Sequence, residues 1–327
     1  MNLYNIGIIG LGGIAEKYAE SLEVIPNANL YAVGSRSIKK AEKFREKYDA
    51  DKAYGSYKEL LEDDHVDLVY VATPMSSHYN DMLNALENNK HILCEKSFTL
   101  NANEAINIFK TAKEKNLFVM EALWSRFNPT LLEIKDLIDK GVIGKIIKID
   151  AEFSIGKEFD PKSRLYSKEL GGGSLLDVGI YPITFTDMMI GLKYTNIKSS
   201  ATLAPTEVDQ NNNIELTYKN LSASLTSGLD KVGLNFGYIY GTEGYIKVSN
   251  FWESQYAKII KNDKVVKIIN NPFLMNGLEY ETIHVLKCLD NLLTESIVMP
   301  LSKTIEIMSF MDTLRKEWGV VYYPEKK

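Results

Sequence analysis

The sequence predicts a two-part α/β chain: a doubly wound parallel sheet first, then a C-terminal α/β domain with a mostly antiparallel open sheet. Three observations carry this. Short apolar runs alternate with amphipathic helical patterns through the first third of the chain. Past about Glu121 the strand-like runs follow one another directly, with turn residues between them in place of helices. At 327 residues the chain is long for one hydrophobic core and comfortable for two. Domains are therefore expected over residues 1–121 and 122–327.

Taken in order, "YNIGIIG" is a buried strand, because its apolar residues run on without alternation. "GIAEKYAESLEVI" has helical spacing, "NLYAVGS" is the second strand, and the charged helix "IKKAEKFREKY" follows. "VDLVYVAT", "HYNDMLNALENN", "HILCE", "NEAINIFKTAKEKN" and "LFVME" continue the alternation, which implies parallel strands joined by right-handed crossovers. Ser56 with Glu59, and Asn101 with Glu104, mark helix starts with a reciprocal acidic partner. In the second part a helix runs from near Pro129 to Lys140. Strands are expected in "KIIKIDAEFSIG", "TNIKSSATLA", "NNIELTYKN", "LSASLTSG", "NFGYIYG" and "GYIKVS". Turns fall at Lys219-Asn220 and between Gly241 and Gly244, and two helices, near 277–293 and 302–318, close the chain.

Composition narrows the function classes. Apolar residues at 45% and charged residues at 25% are the balance of a globular protein. A net charge of -5 with no basic cluster argues against nucleic acid as a partner. No apolar run is long enough to span a bilayer, and "MNLYNIGIIG" lacks the charged start and cleavage site of a signal peptide. Cys94 and Cys288 lie far apart without a CxxC spacing, so two reduced thiols in a cytoplasmic protein are expected. His65, His78, His91 and His284 are scattered, and no metal is expected.

The first chemical signal is "GIIGLGGIAEKYA", a G-x-G-x-x-A spacing between a strand and a helix. Gly10 permits the tight turn, Gly12 lets the backbone approach a pyrophosphate, and Ala15 is small enough for close helix–strand packing. Gly10, Gly12, Gly13, Ile14 and Ala15 are accordingly assigned to a dinucleotide, its phosphates at the helix N-terminus. The second strand ends at Ser35 and Arg36, where a cofactor with a free 2′-hydroxyl would want an acidic residue. A hydroxyl beside a guanidinium suits a 2′-phosphate, so NADP(H) is expected ahead of NAD(H); the alternative is a solvated basic helix start. Thr73 and Pro74 end the fourth strand at the carboxyl edge of the sheet, where such ligands lie. His78 either borders that ligand or caps the following helix.

Glu95 and Lys96 leave the carboxyl end of the fifth strand, the edge at which α/β folds place their chemistry. In "GGGSLLDVGIYPIT" three glycines precede Asp177 and Tyr181, which share one face at helical spacing. Asp177 alone would serve as a first-turn residue complementing the helix dipole, but that leaves Tyr181 unexplained. A phenol has a pKa near ~10, and a nearby ammonium favours its ionised form. If the two domains face each other, Lys96 supplies that ammonium, and the pair relays a proton while hydride moves to or from a nicotinamide.

These pieces, in this order, resemble the glucose–fructose oxidoreductase/inositol dehydrogenase/rhizopine-catabolism (Gfo/Idh/MocA) family over essentially the whole chain. Its E-K-P motif is similar to Glu95-Lys96-Ser97, with serine in place of proline. Its G-G-G-x-x-x-D-x-G-x-H pattern matches Gly171 to Gly179, with Tyr181 in place of the histidine. "MEALWSRFNP", "GLEYE" and the terminal "GVVYYPEK" are similar to the branch of dimeric dihydrodiol dehydrogenases and NADP-dependent D-xylose 1-dehydrogenases. The resemblance implies an N-terminal Rossmann domain and a C-terminal sheet that pairs subunits, hence a homodimer or higher homo-oligomer. It implies Tyr181 as acid/base assisted by Lys96 and Asp177, with Trp124 and Arg126 against the nicotinamide or pyrophosphate end. The implied substrate is a secondary alcohol or carbonyl in a sugar or cyclic diol. An NAD-dependent inositol or polyol dehydrogenase, and a non-catalytic nucleotide-sensing protein, are the alternatives.

Overall fold

In the computed structural model, which describes residues 2–322, the first strands are β1 (Tyr4–Ile9), β2 (Ala28–Gly34), β3 (Lys52–Tyr54), β4 (Leu68–Val71), β5 (His91–Glu95) and β6 (Val119–Ala122). Between them lie α1 (Gly13–Leu22), α2 (Ile38–Tyr48), α3 (Tyr57–Leu61), α4 (Met75–Glu87) and α5 (Ala102–Glu114). Apolar runs without alternation become the buried strands β1, β4, β5 and β6, while β3 at the sheet edge has no buried residue. All six strands are parallel, in the order β3-β2-β1-β4-β5-β6, so the order reverses between β1 and β4. A doubly wound sheet opens its ligand crevice at such a reversal. The core there includes Ile9, Val69, Val71, Met82, Ile92, Cys94, Phe98 and Ile108. The two sequence-marked caps form: Ser56 Oγ accepts the Glu59 N–H at 3.2 Å, and Asn101 Oδ1 accepts the Glu104 N–H at 3.0 Å.

The second architecture begins with α6 (Pro129–Asp139), β7 (Ile146–Ser154) and α7 (Ile180–Ile190). It continues through β8 (Asn196–Leu203), β9 (Asp209–Thr217), β10 (Ser222–Gly228), β11 (Phe236–Gly241), β12 (Gly244–Ser249), β13 (Tyr256–Lys261) and β14 (Lys264–Asn270). These eight strands form one sheet, β14-β13-β12-β11-β7-β10-β9-β8, in which only the β10–β7 pair is parallel. Ile149, Ala151, Leu225, Ile239 and Ile246 are buried on the face that α7 covers, while Lys148, Asp150, Tyr238, Tyr240 and Tyr245 alternate with such buried positions along their strands. The strands β13 and β14 were not among those the sequence suggested. "KVVKIIN" sets its apolar residues side by side instead of alternating, and only one of its seven positions is buried. Asn262 and Asp263, at φ of 49° and 56°, make the tight turn between them.

Two helices follow, α8 (Glu279–Asp290) and α9 (Leu301–Trp318). The chain divides into one compact unit of residues 1–124 with 274–309 and another of 125–273 with 310–327. The first unit thus includes a segment from near the end of the chain. The Asn276 side-chain amide donates to Lys17 O at 2.7 Å, and Tyr4 O–H to Asp290 Oδ1 at 3.2 Å, tying that segment to β1 and α1. Tyr323–Lys326 of "GVVYYPEK" lie outside the described residues. Among the described residues no helix is long and apolar enough to cross a membrane.

Candidate active site

β1 delivers Gly10 to the reversal point at φ +86°, and a Cβ there would lie 2.5 Å from Thr73 N at the end of β4. Only glycine lets the two strand ends approach so closely. Gly12 N–H donates to Gly10 O at 2.9 Å and Glu16 N–H to Gly12 O at 3.1 Å, which turns the chain through Gly13 and Ile14 into α1. Ala15 is wholly buried. Gly12 caps α1 without a side-chain hydrogen bond, so first-turn N–H groups are left for another acceptor. At Gly12 and Gly13 a Cβ would meet nothing within 4 Å. The protein's own packing does not demand glycine at either place, whereas a pyrophosphate lying on the bare backbone does. The residues present fit a dinucleotide.

At the end of β2, Ser35 is buried and its Oγ accepts the Ser37 N–H at 3.3 Å, while Arg36 is exposed. Thr73 Oγ1 donates to Asp81 Oδ2 at 2.7 Å. Burial pushes the Asp81 carboxyl up, against the Thr73 hydrogen bond and the Arg36 charge. The Tyr57 phenol is also raised, by burial first and then by Asp81, with Arg36 opposing. Arg36, Asp81 and Tyr57 thus share one electrostatic neighbourhood; the last two had no sequence signal beyond their helical positions. Pro74 is the N-cap of α4. His78 is buried and lies inside α4, so it is not the cap of that helix. Its Nε2 meets Thr73 O at 2.9 Å and its Nδ1 meets Ser97 O at 3.1 Å, so the ring buckles the end of β4 to the segment after β5. Burial lowers its pKa.

β5 ends at Glu95, whose buried carboxylate accepts the Tyr70 hydroxyl and, at 3.2 Å, the Lys96 N–H. Tyr70 stacks on Tyr18 with centroids 3.5 Å apart. The Lys96–Ser97 peptide is cis, and Lys96 is half-buried. Trp124, half-buried, opens a short 3₁₀ turn, Trp124–Phe127. Arg126 in that turn donates from Nη1 to Asp187 Oδ2 at 2.7 Å, a nearly buried ion pair with α7 that the sequence did not suggest.

The glycine triplet is explained by close packing. Gly173 N–H donates to Leu165 O at 2.8 Å, and a Cβ on Gly173, at φ +127°, would lie 2.5 Å from Asp209 Oδ1. Asp209 is wholly buried, accepts the Leu175 N–H at 2.7 Å, and has its pKa raised to about 7 by burial. A π-helical turn, Leu175–Gly179, then runs into α7. Asp177 lies in that turn, nearly buried, and accepts Arg164 Nη1 at 2.5 Å. Arg164 was missed; its only sequence signal is a basic residue in the loop after β7. Tyr181, 8% exposed in the first turn of α7, meets Phe153 edge-on at 5.6 Å, and Phe153 stacks on Trp252 at 3.8 Å. The fold thus gathers Thr73, Pro74, His78, Glu95 and Lys96 in the first unit, and Asp177 and Tyr181 in the second.

A Rossmann sheet with a bare glycine turn at its reversal point defines the class, a dinucleotide-binding protein. Residues 4–123 match the NAD-binding Rossmann fold model of the Gfo/Idh/MocA oxidoreductases, residues 131–247 match the C-terminal domain model of the same group, and the chain belongs to this family. It is 35% identical to the trans-1,2-dihydrobenzene-1,2-diol dehydrogenase of Xenopus tropicalis, across 97% of this chain and 98% of that one. It is 31% identical to the D-xylose 1-dehydrogenase (NADP(+)) of Hypocrea jecorina, across 97% and 92%. A solved 3-ketoreductase from Actinomadura kijaniata, in complex with NADP and TDP-benzene, superposes with a TM-score of 0.84 at 26% identity, covering 96% of this chain and 98% of that one.

Proposed function

We propose that the protein is an NADP(H)-dependent dehydrogenase/reductase that interconverts a secondary alcohol and its carbonyl in a sugar or cyclic diol. The dihydrodiol and D-xylose dehydrogenases among its relatives support that substrate class. When bound, the nicotinamide supplies the hydride acceptor or donor. Tyr181 takes the hydroxyl proton as hydride leaves the same carbon, and returns it in the reductive direction. The Lys96 ammonium favours the phenolate. Asp177, its charge countered by Arg164, accepts a hydrogen bond from the substrate. One observation carries the reading: Tyr181 is nearly buried beside the stacked Phe153–Trp252 pair, an aromatic, apolar setting for its phenol.

Gly10, Gly12, Gly13, Ile14 and Ala15 take the pyrophosphate, and Ser35 and Arg36 the 2′-phosphate. Thr73, Pro74 and Trp124 line the cofactor, with NAD(H) as a weaker substitute. Two unbridged, buried cysteines fit a reducing compartment, and we place the enzyme in the cytoplasm. The sheet face bearing Tyr238, Tyr240 and Tyr245 is assigned to a second copy of the chain. Sedimentation as a monomer at micromolar concentration would reject that assignment. For the chemistry, Tyr181→Phe should lower turnover roughly 10²- to 10⁴-fold without loss of NADPH binding. Lys96→Met should also be slow, and the double variant little slower than the worse single one, because both serve one proton transfer. Full turnover in Tyr181→Phe removes the phenol from the mechanism.

A further inference from the structure

Three buried side chains from three elements hold the short segment that carries Lys96. Glu95, the last residue of β5, accepts the Lys96 N–H at 3.2 Å. Glu121 on β6, paired in register with Cys94, accepts the Phe98 N–H at 3.1 Å. His78 on α4 meets Ser97 O at 3.1 Å and Phe98 O at 3.3 Å. Glu121 is 1% exposed in a strand whose other residues, Val119, Met120 and Ala122, are wholly buried and apolar. A carboxylate in such a strand is costly unless its hydrogen bonds repay the loss of water. Nearby is a further carboxyl, Glu281 of α8, fully buried with neither oxygen hydrogen-bonded. Burial, and then the charges of Glu95 and Glu121, hold it well above the usual carboxylate range.

We propose that Glu121 is a positioning residue for Lys96: by accepting the Phe98 N–H it fixes the path of the backbone past Lys96, while His78 holds the carbonyls of the same segment. This rests on the reading of Lys96 as a participant in proton transfer. The acceptor oxygen carries the role, so glutamine replaces glutamate and methionine, of similar length, does not. With NADP+ and D-xylose as probes, Glu121→Met should lower kcat roughly 10- to 10²-fold with KM and NADPH binding unchanged, the size of effect a small misplacement produces. Glu121→Gln should remain within about threefold of the parent, its neutral hydrogen bond being only modestly weaker. In deuterium exchange, the Phe98 amide should be protected in the parent and in Glu121→Gln, and exchange about tenfold faster in Glu121→Met.

Full kcat in Glu121→Met beside a slow Lys96→Met overturns the positioning role and leaves the Lys96 reading intact. Full kcat in Lys96→Met overturns the Lys96 reading instead. If Glu121→Met does not fold, loss of turnover in Glu121→Gln, or an unprotected Phe98 amide in the parent, overturns the proposal.

Discussion

Two glycine-rich stretches, each leading into a helix, have different reasons for their glycines. At Gly173 the protein itself occupies the space of a side chain, with Asp209 Oδ1 2.5 Å from where a Cβ would stand. At Gly12 and Gly13 nothing of the protein lies within 4 Å. The first stretch is glycine-rich because the loop at Leu165 and the Asp209 carboxyl close on the backbone. The second is glycine-rich although folding leaves it open. A glycine that packing does not require points to a ligand, and one that packing does require points to architecture, even when the architecture supports residues proposed to be catalytic, Asp177 and Tyr181.

Alanine at the two places separates these roles. Gly173→Ala meets both a positive φ of 127° and a carboxylate oxygen, and should destabilise the fold by on the order of 2–4 kcal/mol, read as a lower denaturant midpoint. Gly12→Ala should leave the midpoint within about 0.5 kcal/mol of the parent, as for any open surface position. It should instead weaken NADPH binding, since a methyl group then stands where the phosphates approach the helix N-terminus. A Gly12→Ala protein that binds NADPH normally would break the comparison from one side, and a Gly173→Ala protein of unchanged stability would break it from the other.

Asp209 sharpens the architectural half through pH. Its folded pKa of about 7 stands above the ordinary 3.8, because burial opposes its charge. The folded state therefore binds the proton more tightly, and stability falls as pH rises from about 4 to about 7. The cost is absent below that window and complete above it, amounting to about 4 kcal/mol at most. Asp209→Asn keeps an acceptor for the Leu175 N–H and loses the titration. Its melting temperature relative to the parent should therefore increase between pH 5 and pH 8. A difference that does not change with pH would mean that Asp209 carries its charge in the fold without penalty.

The same contrast between local and distant causes decides what could be read in the sequence. The parallel sheet was legible because burial on both faces forces unbroken apolar runs, and the caps at Ser56 and Asn101 because both partners lie within one turn. Glu95-Lys96 and the Asp177/Tyr181 pair stood out for that reason too. The partners that hold them did not: Arg164 reaches Asp177 from 13 positions away and Glu121 reaches Phe98 from 23. No periodicity links such residues; the strand register and the loop path bring them together. β14 was missed because only one of its seven residues is buried. The helices of 274–309 were visible as helices, but only their packing assigns them to the first unit.

The smallest expected effect tests the ligand half at its far end. Arg36 stands exposed where β2 ends, and two explanations compete for it: the 2′-phosphate of NADP(H), or an ordinary solvated start to α2. A charged hydrogen bond to phosphate contributes about 1.5–3 kcal/mol, so Arg36→Ala should weaken NADPH binding roughly 10- to 10²-fold while changing NADH binding little. Fluorescence titration of the two reduced cofactors measures the ratio directly. Equal losses for both would leave Arg36 a structural or solvated charge, and the nucleotide would then be read by the bare glycines alone. The pyrophosphate is common to NAD(H) and NADP(H), so the preference for NADP(H) would need another residue to carry it.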